Sequence, residues 1–98
     1  MRIISRKVLR EFGEKHTEAK VPLDTWYRIM KGREFSSPHD LRADFPTASF
    51  LGGGRTVFNI GGNKYRLVVH MRYDLGRVYV RDVLTHEEYD RKSIEGTL

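Results

Sequence analysis

Two hydrophobic periods divide this chain, and their order limits what it can fold into. From Val8 to Met30 the apolar residues recur three and four positions apart: Val8, Leu9 and Phe12, then Leu23, Trp26, Tyr27 and Met30. That spacing lines one face of a helix. From residue 56 to residue 84 they recur every second position, the period of a strand with one buried side. Helices first and strands afterwards predict an α+β fold: two N-terminal helices packed on one face of an antiparallel sheet. With 98 residues the chain is long enough for one domain, spanning 1–98, and too short for two.

Local signals place the elements. Ser5 is positioned to cap the first helix, which is expected to end near His16 and Thr17 after Gly13 has weakened it. Pro22 fits the first turn of the second helix and Gly32 its C-terminal end. Ser37-Pro38 opens one further turn over residues 39–42, stopped at Phe45-Pro46. Gly52-Gly53-Gly54 reads as a loop, since it lacks the lysine and hydroxyl residue that complete a phosphate-binding P-loop. Residues 56–60 form a strand and Gly61-Gly62 a two-residue hairpin turn, because glycine takes positive φ without steric cost. A long strand over 63–73, a turn at 74–76 and a last strand over 77–84 follow, and residues 2–4 fit an added strand. Residues 86–90 lose the alternation and read as a short helix or loop capped by Thr85, while 93–98 are expected to fray.

Composition narrows the function classes. No apolar run approaches the roughly 18 residues of a membrane span. Residues 1–7 lack the apolar stretch of a signal peptide, so an intracellular, cytoplasmic address is expected, with no membrane partner. The absence of cysteine excludes a disulfide scaffold, a cysteine nucleophile and a thiolate zinc site. Eighteen Lys and Arg against thirteen Asp and Glu leave a net charge of +5, and the pI is about 9.7. Such a balance points to a polyanionic partner, usually nucleic acid, although it also serves plain solubility.

Alternation in the long strand separates its faces. Tyr65, Leu67, Val69, Met71 and Tyr73 share the side that meets the helices; Arg66, Val68, His70 and Arg72 share the other. Between residues 55 and 81 stand six cations, Arg55, Lys64, Arg66, Arg72, Arg77 and Arg81, against one anion, Asp74. Arginine suits phosphate because its planar fork donates to two oxygens at once. Arg66 and Arg81, within strands, are the phosphate candidates; Lys64 and Arg77, at strand ends, fit diffuse steering or mere solvation. Tyr73, Tyr79 and Tyr89 lie in the same region and are candidates for stacking on bases. His86, beside Tyr89, and His70, on the basic face, are the candidate proton carriers. His16 and His39 lack such neighbours and read as surface residues. The histidines have no metal-ligand spacing, Glu87-Glu88 cannot face each other as a glycosidase pair, and no Gly-x-Ser-x-Gly elbow occurs.

The segment Phe58-Asn59-Ile60-Gly61-Gly62-Asn63-Lys64-Tyr65-Arg66-Leu67-Val68 resembles the hairpin of HigB-type toxins. Residues 79–90, ending Thr85-His86-Glu87-Glu88-Tyr89-Asp90, resemble their C-terminal signature, and the stretches 3–9 and 41–46 also fit. The resemblance spans residues 1–91. It implies a RelE-like toxin of a type II toxin–antitoxin system: an endoribonuclease cutting mRNA on the ribosome, with neither metal nor cofactor. It further implies a helix-turn-helix antitoxin of the HigA-like kind, with operator DNA reached only through the complex. By the same resemblance Arg66 and Arg81 contact the scissile phosphate, and His86 and Tyr89 assist proton transfer. Lys64, His70, Arg72, Tyr73, Arg77 and Tyr79 are the remaining candidates for RNA binding.

That chemistry suits these residue types. Metal-free RNA cleavage uses the 2′-hydroxyl as nucleophile, and it needs a base, an acid for the departing 5′-oxygen and cations for the phosphorane. A single donor to an oxyanion is worth about 2.7–4 kcal/mol, and a placed proton carrier about 10²–10⁴ in rate. Two other classes compete: a non-catalytic RNA- or DNA-binding module using the same sheet face, and a structural protein–protein partner. The His86-x-x-Tyr89 ending behind an arginine-bearing strand favours the nuclease. The charged outer faces of the first helices (Arg6, Lys7, Arg10, Glu11, Glu14 and Lys15) suit a polar antitoxin contact that blocks access by bulk.

Overall fold

The computed structural model describes residues 1–96. Strand β1 (Arg2–Ile4) leads into helix α1 (Arg6–Lys15), a single 3₁₀ turn (Thr17–Ala19), α2 (Lys20–Gly32) and α3 (Pro38–Asp44). Four strands follow: β2 (Ser49–Gly52), β3 (Arg55–Ile60), β4 (Tyr65–Arg72) and β5 (Arg77–Thr85). Helix α4 (His86–Glu95) ends the fold.

The sheet has five strands in the order β1-β5-β4-β3-β2. The chain crosses from one edge to the other through the helices, then meanders back until β5 lies beside β1. That closing pair is parallel, Ile3 opposite Val78, so the sheet is mixed where a purely antiparallel one was expected. A parallel neighbour requires a long crossover, which α1 to α3 provide. Strand β2 was not foreseen. It is short and mostly exposed, and its pairing with β3 slips between Phe50 and Gly52, so it carries no regular alternation to read.

The helices cover one face as expected. Leu9 of α1, Leu23, Trp26 and Met30 of α2 and Leu41 of α3 share a core with Phe58, Leu67, Val69, Met71, Val78, Val80 and Val83. Burial of side chains this large contributes about 1.5–3 kcal/mol apiece. Helix α4 lies on the opposite face, where Tyr89 packs on a small cluster of Val57, Val68 and Leu84.

Several local expectations need correction. Ser5 takes a left-handed conformation (φ 72°) and its side chain caps nothing. Helix α2 begins at Lys20, so Pro22 is its third residue, and Gly32 is its last residue rather than the one after. The β3–β4 ladder ends at Ile60 opposite Tyr65, which makes the connection a four-residue loop, 61–64, and not a two-residue turn. Gly61 and Gly62 both have positive φ, as the glycine pair implied. Residues 93–95 continue α4 and Gly96 caps it, where fraying was expected; 97–98 lie outside the described residues. The short helix at Ser37-Pro38 is present, with the Asp40 amide donating to the Ser37 hydroxyl at 3.1 Å.

A bulge in β5 shapes the open face. Val69 pairs with Val80 and Val68 with Asp82, leaving Arg81 as an extra residue. Val80 and Val83 both belong to the helix-side core. Two consecutive residues, Arg81 and Asp82, therefore separate core positions that strict alternation would place an even number apart.

Helix α4 is held mainly by its start. The Glu88 amide donates to the Thr85 hydroxyl at 3.2 Å and the Thr85 amide to the Glu88 carboxylate at 2.8 Å, a reciprocal capping box. The Thr85 amide holds the Glu88 carboxyl below its ordinary pKa. A carboxylate with a lowered folded pKa stabilises the fold above its unfolded pKa, and that contribution is lost as pH falls through the folded value. Acidification should therefore release α4, and Thr85→Ala should cost the helix about 1 kcal/mol. Amide hydrogen exchange in α4, with exchange in β4 unchanged, is the measurement that checks both.

Gly54 supplies a second test. Its φ is +82°, and a Cβ there would stand 2.7 Å from the Met71 carbonyl. The same substitution at Gly53 (φ +60°) meets nothing within 4 Å. Denaturant unfolding should show Gly54→Ala losing more stability than Gly53→Ala, by over about 1 kcal/mol.

Candidate active site

The open face of the sheet can be read in rows from the strand pairing. Arg66 on β4 lies between Asn59 of β3 and Leu84 of β5. The next row holds Val57, Val68 and Asp82, with Arg81 beside Asp82 in the bulge. Arg81 thus stands one strand over and two residues along from Arg66, roughly 7 Å in the strand direction. Beyond it come Arg55, His70, Tyr79 and Ile4, and then Arg72, Arg77 and Arg2.

Arg66 is the centre of the best-defined cluster. Its Nη1 donates to the carbonyls of Asn63 and Tyr65, at 3.1 and 3.2 Å. Its Nη2 lies 3.1 Å from Nδ1 of His86. The guanidinium also sits over the Tyr89 ring, 5.7 Å from its centroid. Arginine has five N–H donors and no acceptor. Three are used, so Nε–H and one Nη2 proton have no acceptor among the described residues. A side chain fixed by backbone carbonyls yet holding two spare donors is preorganised for a phosphate.

His86 is exposed at the first position of α4. Its amide donates to the Lys64 carbonyl at 2.9 Å, tying the start of α4 to the 61–64 loop. Its Nε2 lies 3.2 Å from the Asp90 carboxylate, one helical turn on. Arg66, His86 and Tyr89, chosen from the sequence as one group, are therefore brought together by the fold.

Arg81 is exposed and makes no hydrogen bond or ion pair among the described residues. The acid beside it, Asp82, is paired with Lys92 of α4 at 3.4 Å, which leaves the Arg81 charge unopposed.

Other candidates are placed less simply. Tyr73 belongs with the helix-side core, and its hydroxyl is buried without a partner. Burial pushes that hydroxyl's pKa upward. It does not lie on the open face, so its place in an RNA-stacking set is withdrawn. Lys64 bonds Glu18 of the 3₁₀ turn at 2.9 Å, which draws it to the helix side and raises its pKa. Arg72 grips Asp74 through Nε and Nη2 at 3.0 and 2.8 Å, so it is neutralised locally. Arg77 donates to the Tyr79 hydroxyl at 3.4 Å. His70 meets Tyr79 edge-on, centroids 6.5 Å apart, an aromatic pair on the open face. His16, read as an isolated surface residue, stacks on Phe12 at 4.3 Å.

Asp90 and Lys92 were missed. The signal for Asp90 was present: a histidine and a carboxylate at i and i+4 face each other only if 86–90 is helical. That segment had been left open between helix and loop.

Comparison with known proteins agrees with this geometry. Residues 19–92 match the HigB toxin family, described as the RelE-like toxic component of a toxin–antitoxin system. The mRNA interferase toxin HigB of Escherichia coli K12 is 33% identical over 93 residues, which cover 92% of this chain and 88% of that protein. The mRNA interferase HigB of Shigella flexneri gives the same figures. The one from Escherichia coli O6:H1 is 30% identical over 93 residues, 93% of this chain and 90% of its own. With the family matched over most of its length and these relatives over nearly all of it, the chain belongs to the HigB family of RelE-like toxins.

Proposed function

We propose that this toxin is an mRNA endoribonuclease that cuts without a metal, by attack of the 2′-hydroxyl on the adjacent phosphate, on mRNA held in the ribosome. The observation that carries the reading is the convergence on Arg66: two spare guanidinium donors beside the Nδ1 of a histidine, with a tyrosine ring against them. The names of the relatives, mRNA interferases, supply the substrate class.

In this mechanism Arg66 and Arg81 hold the non-bridging oxygens and meet the charge that grows in the phosphorane. His86 Nδ1 takes the 2′-hydroxyl proton. The O2′–P bond forms, the P–O5′ bond breaks, and Tyr89 gives its hydroxyl proton to the departing oxygen. The products are a 2′,3′-cyclic phosphate and a 5′-hydroxyl. His70, Tyr79, Arg77 and Arg72 extend the same face and guide the flanking nucleotides, with Lys64 adding to the field at the loop. A non-catalytic binding module would need the arginines but would have no use for the His86 and Tyr89 arrangement.

The family implies an antitoxin partner. In this reading it is a helix-turn-helix protein that brings the pair to operator DNA. It sits on the helical side, where an open groove of about 490 Å³ between α1 and α2 is lined by Arg6, Arg10, Glu14, Lys20, Asp24 and Tyr27. Bound there, it excludes the toxin from the ribosome by size.

Arg66→Ala and Arg81→Ala should each abolish mRNA cleavage in a translating extract while shifting unfolding free energy by less than about 1 kcal/mol, the scale of surface changes. An active variant, or one that unfolds, overturns the assignment. Cleavage should also persist when a chelator is added to an assay on isolated RNA, and dependence on an added transition metal would contradict the metal-free mechanism.

A further inference from the structure

We infer that Asp90 is a positioning residue: by accepting the Nε2 proton of His86 it holds the imidazole in the tautomer whose Nδ1 is free to act as base. The inference rests on the reading of His86 as the proton carrier and goes beyond it.

The argument starts from Arg66. A guanidinium can only donate, so the 3.1 Å contact from Nη2 makes Nδ1 of His86 an acceptor. In a neutral ring the proton then resides on Nε2. That nitrogen lies 3.2 Å from the Asp90 carboxylate, which can only accept while ionised. The two partners specify the same tautomer from opposite sides of the ring.

They do not persist equally through a reaction. A substrate phosphate competes for Nη2 of Arg66, and Nδ1 must be released to reach the 2′-hydroxyl. From that moment Asp90 alone fixes the ring. When Nδ1 takes the proton, the bond from Nε2–H to Asp90 becomes a charge-assisted one, so the carboxylate stabilises the imidazolium as it forms.

The charged groups around His86 leave Asp90 without a substitute. Arg66 faces it from β4, and Lys64 in the adjoining loop is paired with Glu18. On α4, Glu88 is committed to the Thr85 amide. Glu87 and Arg91 are exposed on the same helix.

The test compares Asp90→Asn, Asp90→Glu and His86→Gln with the parent protein. Readouts are single-turnover cleavage of mRNA on ribosomes across pH, and the side-chain nitrogen NMR shifts of His86 without RNA. An Asn amide can present N–H to Nε2 and drive the proton to Nδ1. Asp90→Asn should therefore slow cleavage at least about tenfold. It should also move the basic group's apparent pKa downward and take the Nε2 signal away from the protonated position. Asp90→Glu should recover part of the rate. If His86→Gln abolishes cleavage but Asp90→Asn keeps the parental rate, pH profile and nitrogen shifts, the role of Asp90 is refuted and that of His86 stands. A slower Asp90→Asn variant with an unchanged profile and unchanged shifts also refutes it, since a merely structural contact would give that result. Parental activity in His86→Gln overturns the underlying reading itself.

Discussion

The hydrogen bond from the His86 amide to the Lys64 carbonyl joins the end of one hairpin to the start of a helix. It forms because Tyr65 and Thr85 are opposite each other at the last rung of the β4–β5 ladder. The same register puts the 61–64 loop beside the first turn of α4. The loop presents the Asn63 carbonyl to Arg66 and the Lys64 carbonyl to His86. A slip of one residue in that pairing would send Arg66 into the core and Leu67 into water, because strand side chains alternate. The side chains of Leu67 and Val69, fully buried, oppose such a slip. The apolar core on one face therefore sets the polar arrangement on the other.

Charge on the open face is handled unevenly. Arg72 and Lys64 are satisfied by acids close by, while Arg81 has none and Arg66 keeps two donors in reserve. Counting cations along the sequence could not reveal this, since pairing depends on neighbours that arrive from other elements. Lys92 illustrates the point: from α4 it neutralises Asp82, which would otherwise compete for Arg81. The net effect is to confine unopposed positive charge to the end of the sheet that carries His86 and Tyr89.

Much of the fold was legible in the sequence, for definite reasons. Leu23, Trp26, Tyr27 and Met30 could only be one side of a helix, and the alternation from Tyr65 to Met71 could only be a strand with one buried face. Thr85 with Glu88 three residues on announced a helix start, although the length of α4 did not follow from its polar sequence. What stayed hidden depends on distant pairing. The parallel contact of β1 with β5 is a fact of topology, not of local pattern. The four-residue loop and the bulge at Arg81 are register effects that hydrophobic periodicity does not encode. Tyr73 could be assigned to the helix side by alternation or to the RNA face by chemistry, and burial decided for the core. At the site, Arg66, His86 and Tyr89 were found by their residue types, whereas Asp90 needed the helix to be known first.

The attachment of α4 has a consequence for how heat affects the molecule. Among the described residues the helix buries no side chain completely, and its hold on the sheet rests on half-buried Tyr89 and the capped first turn. Elements with so little buried surface open at free energies well below global unfolding. The arginines are on strands, in the most stable layer, while the proton-handling groups ride on this looser helix. Warming should therefore separate two properties that are usually lost together. Turnover would decline reversibly over a range of temperature in which the sheet and its core remain intact, and would return on cooling without any refolding of the domain.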